Sequence, residues 1–291
     1  MLPVLLIDGD QFIFRATAAV EKETLWDDQN HVLYSNENEA WDNLTGMLER
    51  IFERFGSREH ALTFSSPPNF RLAVDATYKN NRAARKPLCY AALRERVEGE
   101  YNVVAMTGLE ADDVMGILAT KPGAHERIIV SIDKDMRTVP STIWNGEDLV
   151  KVSEAEANYF HLYQTLIGDT SDGYKGCPGI GPKKAEALLA QTPSRQSGVI
   201  PKFKTSDGKP DPDCTRCWEK DYGQDCVCSE RGLVETISHH TWRWALICAA
   251  FVKAGLTPEH ALTQARLARI LRWTDWDSEK KEPILWSPSG S

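Results

Sequence analysis

Carboxylates carry the strongest chemical signal in this sequence. They fall into four separated groups: Asp8 with Asp10; Glu110, Asp112 and Asp113; Asp133 with Asp135; and Asp169 with Asp172. If the groups converge, like charges crowd together, and so many ionised oxygens in one place require divalent cations to be tenable. Hard oxygen ligands without a partnering His or Cys select magnesium or manganese over zinc. Each group also has a plainer reading. Thr107-Gly-Leu-Glu110 fits a capping box, and Asp8-Gly9-Asp10 and Asp133-Lys134-Asp135 suit turns after strands. Repetition at one edge of a sheet favours the metal reading, since a turn needs only one such residue.

Positioning these groups falls to short apolar runs without alternation at Val4–Ile7, Ala61–Phe64, Val103–Met106 and Arg127–Ile132, the signature of strands buried on both faces. Between them lie helical patterns at Glu37–Phe55, Leu88–Val97 and Leu109–Thr120. The fold class is therefore α/β, with a mainly parallel central sheet flanked by helices and a ligand crevice at the strand ends. After Ser153 the strands are expected to stop, with helices at Glu154–Ile167, Pro182–Ala190, Thr236–Ala254 and Pro258–Leu271. We divide the chain into an α/β core at 1–165, with a basic arch region at 71–96, and a helical region at 166–291 containing a Cys-bearing insertion at 192–232.

The 291 residues are 42% hydrophobic and 26% charged, ordinary for a folded globular chain. No apolar run is long enough to span a bilayer, and the seven cysteines come without a secretory signal, so a reduced cytoplasmic setting is expected. The net charge of −8 argues against a polyanion partner only until it is resolved by region. Arg71 to Arg96 holds seven basic residues against two acidic, and Lys175 to Lys204 six against one.

In the first basic segment, Lys79, Arg82 and Lys86 would share a helix face able to neutralise a nucleic-acid strand, with Tyr78 as a stacking surface; a solvated basic face with Tyr78 anchoring the helix to the core is the alternative. In the second, Lys175 precedes Gly176-Cys-Pro-Gly179-Ile-Gly181-Pro-Lys183-Lys184, a glycine turn opening a helix whose amides can face an anion, or a plain turn with proline at the first helical position. Cys214, Cys217, Cys226 and Cys228 form a C-x2-C and C-x-C array that could staple the insertion with a structural zinc ion or consist of free thiols.

Taken in order, Leu6-Ile-Asp-Gly, Tyr78-Lys-Asn-Asn-Arg82, Gly108-Leu-Glu-Ala-Asp-Asp-Val-Met-Gly116, Ser131-Ile-Asp-Lys-Asp135, Gly168-Asp-Thr-Ser-Asp-Gly173 and Gly179-Ile-Gly-Pro-Lys-Lys184 resemble the 5′-nuclease superfamily of flap endonucleases and 5′-3′ exonucleases. Ala268-Arg-Ile-Leu-Arg-Trp273 further resembles the exonucleases of short-tailed bacteriophages. The resemblance covers nearly all of the chain outside about 191–232. It implies that Asp8, Glu110, Asp112, Asp113, Asp133, Asp135, Asp169 and Asp172 are metal ligands, with Asp112, Lys79 and Arg82 central to catalysis. Tyr78, Lys79, Arg82 and Lys86 would meet the reacting strand at the base of an arch. Lys175, Gly179, Gly181, Lys183 and Lys184 would grip duplex phosphates through a helix-three-turn-helix element holding a monovalent cation at 176–182. Asp10 falls outside the ligand pattern and is expected to be a polar strand-end residue. One acidic ligand position, just after the second strand, is occupied by Ser66.

The expected function is 5′-3′ exonucleolytic hydrolysis of duplex DNA with two Mg2+ or Mn2+ ions, extending to RNA of hybrids and short flaps. The chain is expected to work as a monomer in the cytoplasm of an infected bacterial host. Two other readings stand beside it. A strand-Asp8-x-Asp10 arrangement also suits an aspartyl-phosphate phosphatase of haloacid-dehalogenase type. The missing acid at Ser66 suits a DNA-end-binding protein that has lost catalysis.

Overall fold

The structure is a computed structural model describing residues 2–25, 30–81, 85–191 and 239–288, with the side chains of 239–241 outside the description. Arg82 and the array Cys214, Cys217, Cys226 and Cys228 lie outside the described residues. Two compact units are distinguished: Met1–His161 with Asp169–Tyr174 and Arg266–Trp286, and Leu162–Gly168 with Lys175–Ala265 and Ser287–Ser291.

The first unit is built on β1 (Val4–Asp8), α1 (Gly9–Ala18), β2 (Lys22–Leu25), β3 (His31–Tyr34), α2 (Glu37–Phe55), β4 (His60–Phe64), α3 (Arg71–Val74), α4 (Tyr90–Glu100), β5 (Val103–Ala105), α5 (Ala111–Thr120), β6 (Arg127–Val130), β7 (Thr142–Trp144), β8 (Leu149–Lys151) and most of α6 (Glu154–Ile167). Its sheet runs β5-β4-β1-β6-β7-β8, parallel except for β8. The four apolar runs expected to be strands are β1, β4, β5 and β6, and they occupy the sheet's first four positions. Leu5, Ile7, Leu62 and Phe64 are sealed from solvent on one face of this sheet beneath α2, whose Ala40, Leu44, Leu48 and Phe52 form its buried stripe. Trimming Leu48 to alanine there would cost about 2–5 kcal/mol. Asn36 caps α2 through its side chain, and Gly56, at φ 59°, ends it.

Parallel register fixes where the carboxylates emerge. Asp8 is opposite Thr63 at the C-terminal end of β1, and Ile7 is opposite Val130, so the chain leaves β1, β4 and β6 on one edge. Gly9 begins α1 immediately after Asp8, and a Cβ there would lie 2.5 Å from the Phe64 ring, so no larger residue lets β1 turn into α1 against β4.

Two expectations need correction, and one element was not anticipated. Strands do not stop at Ser153, since Trp276–Asp277 pairs antiparallel with Glu282–Pro283. The β2–β3 hairpin, whose residues are mostly exposed, has too little buried alternation to be read from sequence. No described residue from Asp75 to Cys89 is helical, so Lys79 and Lys86 do not share a helix face; Lys79 sits in the left-handed region at φ 56° and Pro87 interrupts the approach to α4.

In the second unit, α7 (Pro182–Leu189) carries Pro182 at its first position after Gly181, and Gly176 and Gly179 have φ of 65° and 75°. Helix His239–Lys253 and most of Pro258–Ala268 follow, the latter three residues shorter than its periodicity suggested. No described helix is long and apolar enough to cross a membrane.

Candidate active site

A cleft of about 360 Å3 opens at the C-terminal edge of the sheet. Its acidic lining comes from Asp8 and Asp10 around the β1–α1 junction, Glu110 and Asp112 at the start of α5, Asp133 and Asp135 after β6, and Asp172. Six of the eight expected metal ligands are thus brought together: Asp8, Glu110, Asp112, Asp133, Asp135 and Asp172.

Asp8 is buried and caps α1 by accepting from Gln11 N at 3.0 Å; Ser131 Oγ donates to its other oxygen at 3.3 Å. Burial, with Asp10 and Asp133 adding repulsion, pushes its carboxyl up to about 7. Asp112 is driven well above the usual carboxylate range by burial and by Asp8, Asp133 and Glu110. Asp135 is raised to about 7 by burial and Asp133. Asp8, Asp112 and Asp133 therefore repel one another across the cleft floor, an arrangement that a bound cation would relieve.

Glu110 behaves oppositely. Although burial pushes it up, Arg71 and Lys79 hold it down to about 2. Lys79 Nζ pairs with it, Arg71 Nη1 lies 3.1 Å away and Tyr78 OH donates at 3.0 Å. The left-handed backbone of Lys79, secured by its N–H to Asp172 O at 2.9 Å, aims the ammonium at Glu110, with Asp172 Oδ2 3.6 Å off. Such a conformation in a non-glycine residue costs about 1–3 kcal/mol and persists because these contacts hold it.

Two expected ligands do not line the cleft. Asp113 is sealed from water: its oxygens accept from Arg71 Nη1 at 2.7 Å and Nη2 at 2.8 Å, from Glu110 N at 3.2 Å and from Leu271 N at 3.1 Å. Asp169 accepts from Ser171 N and Oγ and pairs with Lys134 at 3.2 Å. Tyr78 lines the cleft but is buried against Tyr174, Leu267 and Ala268, its hydroxyl bridging Glu110 and Asp172, so the ring offers no open stacking face. Lys86 reaches the cleft with Nζ 3.9 Å from the centre of the Tyr90 ring. In the second unit Lys175, Gly179, Gly181, Lys183 and Lys184 are exposed, and Lys184 Nζ donates to Gly179 O at 2.8 Å, closing the turn.

Sequence reasoning missed three features. Arg71 counted only as one charge in a basic segment, and its flanks, where Leu72 is exposed, do not mark it as going inside. Ser66 is not among the lining residues, its backbone being paired with Leu109 and Gly108, whereas Ser65 is. Asp10 is more than a strand-end residue: it faces the cleft, accepts from Ser65 N at 2.8 Å and Tyr90 OH at 2.5 Å, and lies 3.7 Å from Arg94.

Among the described residues no three His, Cys, Asp or Glu side chains close round a single point at ligand distance. The chemistry of the donors nevertheless fits hard divalent cations: every candidate is a carboxylate, and Asp112 meets the repulsion of Asp8, Asp133 and Glu110, whereas Glu110 and Asp113 pair directly with Lys79 and Arg71.

Residues 3–159 match the model of the 5′-3′ exonuclease N-terminal resolvase-like domain. The chain is 32% identical to the exonuclease of Escherichia phage T7 and 31% identical to the exodeoxyribonuclease of Enterobacteria phage T3, each over 98% of this chain and 93% of the relative. A solved structure of the T5 D15 protein, co-crystallized with metal ions, aligns at a TM-score of 0.47 and 14% identity over 91% of this chain and 93% of that one, too distant to bear on the site. The family-model match and the whole-length similarity together show that this chain belongs to the 5′-3′ exonuclease family.

Proposed function

We propose that the cleft hydrolyses phosphodiester bonds from the 5′ end of duplex DNA, with two Mg2+ or Mn2+ ions held by Asp8, Glu110, Asp112, Asp133, Asp135 and Asp172. The observation that carries this reading is the convergence of these six carboxylates on one cleft, where Asp8, Asp133 and Glu110 all repel Asp112. Divalent cations there would supply Lewis acidity and lower the pKa of water. Asp112 and Asp8, on adjacent elements, would hold the cations at the cleft floor. Lys79, at the rim, would leave Glu110 to meet the scissile phosphate, a charge-assisted contact for the developing negative charge. Asp113 and Asp169, spent in structural pairs, would act by holding their loops.

Lys86 and Arg82 would guide the reacting strand, and Lys175, Gly179, Gly181, Lys183 and Lys184 would hold duplex phosphates without reading sequence, with a monovalent cation at 176–182. RNA of hybrids and short flaps would be further substrates. Zinc at Cys214, Cys217, Cys226 and Cys228 remains part of the proposal for the insertion, as do a monomeric state and action in the infected host's cytoplasm. Neither other reading gains support: Asp10, the acid a phosphatase would need, is engaged by Ser65 and Tyr90, and it restores an acid near the strand end where Ser66 lacks one. Turnover of duplex DNA in magnesium that stops in excess chelator tests the reading; a stable phosphoenzyme at Asp8, or activity persisting in chelator, would refute it.

A further inference from the structure

The segment Leu267–Trp273 joins both halves of the acidic floor. Along α5, Asp113, Gly116 and Thr120 stand on one face at spacings of three and four. Each meets this segment. Asp113 accepts from Leu271 N at 3.1 Å, and Thr120 Oγ1 accepts from Trp273 N at 2.7 Å. At Gly116 the approach is so close that a Cβ would lie 2.3 Å from Leu271 O. Arg71, which clamps Asp113, also donates to Leu267 O at 3.1 Å and Arg269 O at 2.6 Å. On its other side, Arg272 Nη2 donates to Thr138 O at 2.8 Å, the last residue of the 310 turn Lys134–Thr138 that carries Asp135. Asp275 locks the segment's own shape, accepting from Arg269 Nε at 2.8 Å and Arg272 N at 3.0 Å. Arg269, Leu271 and Arg272 are all buried, so none can touch a substrate.

We propose that Leu267–Trp273 is a positioning strut for hydrolysis and that Arg272 is its positioning residue, setting the distance between Asp112 on α5 and the Asp133–Asp135 pair. This rests on the reading of the cleft as a divalent-metal nuclease site. Cations shared by carboxylates from two elements tolerate little change in their separation, and a misplacement of about 1 Å can cost about a hundredfold in rate. DNA affinity supplied elsewhere should be untouched.

The test compares wild type, Arg272→Met, Arg272→Lys and Thr120→Val, each full length, in kcat and KM on duplex DNA with magnesium, and in Mn2+ binding without DNA by electron paramagnetic resonance. Arg272→Met should lower kcat about 30- to 100-fold with KM within about twofold, and weaken Mn2+ binding about tenfold. Arg272→Lys, which keeps a donor for Thr138 O, should recover most of both, and Thr120→Val should lower kcat about fivefold. Unchanged kcat in Arg272→Met, a rise in KM alone, or equal loss in Arg272→Lys would overturn the strut. If Arg272→Met does not fold, Thr120→Val decides in the same way. If wild type shows no magnesium-dependent turnover, the nuclease reading itself fails, and the strut then stands or falls on whether the variants weaken Mn2+ binding.

Discussion

Arg71 and Asp113 face each other through two parallel hydrogen bonds of 2.7 and 2.8 Å, and neither side chain reaches water. One residue earlier in the same helix, Asp112 faces the cleft among other carboxylates. Adjacent acids thus have opposite energetics: Asp113 is held by its partner, and Asp112 is held against its own repulsion. Asp113→Ala would take from the buried Arg71 guanidinium its bidentate partner, leaving Glu110 as the remaining carboxylate, and should cost about 3–5 kcal/mol. Asp112→Asn relieves the repulsion from Asp8, Asp133 and Glu110 and should leave metal-free stability equal or higher while lowering turnover by about two to three orders of magnitude. Denaturant melts of both variants check the contrast; equal destabilisation by the two would remove it.

The same repulsion makes stability depend on divalent ions. A ligand that binds only the folded chain stabilises it by about 2.7 kcal/mol at a hundred times its Kd. Wild type should therefore gain several degrees in Tm on adding manganese to chelator-treated protein, and Asp112→Asn should gain much less. Identical gains would mean the ions bind elsewhere.

Lys79 and Lys183 should separate kinetically. Lys79→Met removes the ammonium beside Glu110 and should lower kcat about a hundredfold at saturating DNA. Lys183→Ala, on an exposed helix start in the other unit, should weaken duplex binding and reduce the slope of log affinity against log salt by about one. A loss confined to kcat in both variants would contradict this division.

Much of this was legible in the chain. The strands β1, β4 and β6 read as unbroken apolar runs because a parallel sheet hides both faces, the edge strand β5 read the same way, and acids at the ends of β1 and β6 followed from that register. Asp113 could not be told from Asp112 by residue type, because what separates them is Arg71, 42 positions away in the chain, and the backbone of Leu271, 158 positions away. Lys79 looked helical because spacing cannot reveal a left-handed residue held by a distant carbonyl. Ser66 was located by counting, and counting cannot show that Ser65 and Asp10 take the cleft-facing places.

That placement of Asp10 changes what Ser66 implies. Since an acid already stands in the cleft beside Ser65, Ser66→Asp should leave the magnesium titration of activity close to wild type, whereas Asp10→Ala should shift it to higher concentration and release Tyr90 OH and Ser65 N from their partner. A marked leftward shift in Ser66→Asp, with Asp10→Ala unaffected, would return the ligand role to position 66.

The most direct test of the chain's activity uses one duplex labelled at its 5′ end and the same duplex labelled at its 3′ end, each incubated with wild type and Asp112→Asn in magnesium and in excess chelator. The 5′ label should be released as short products at once, while the 3′ label remains on progressively shortened strands, in magnesium and with wild type only. Early release of the 3′ label, or equal release in chelator or by Asp112→Asn, would contradict metal-dependent digestion from the 5′ end at this cleft.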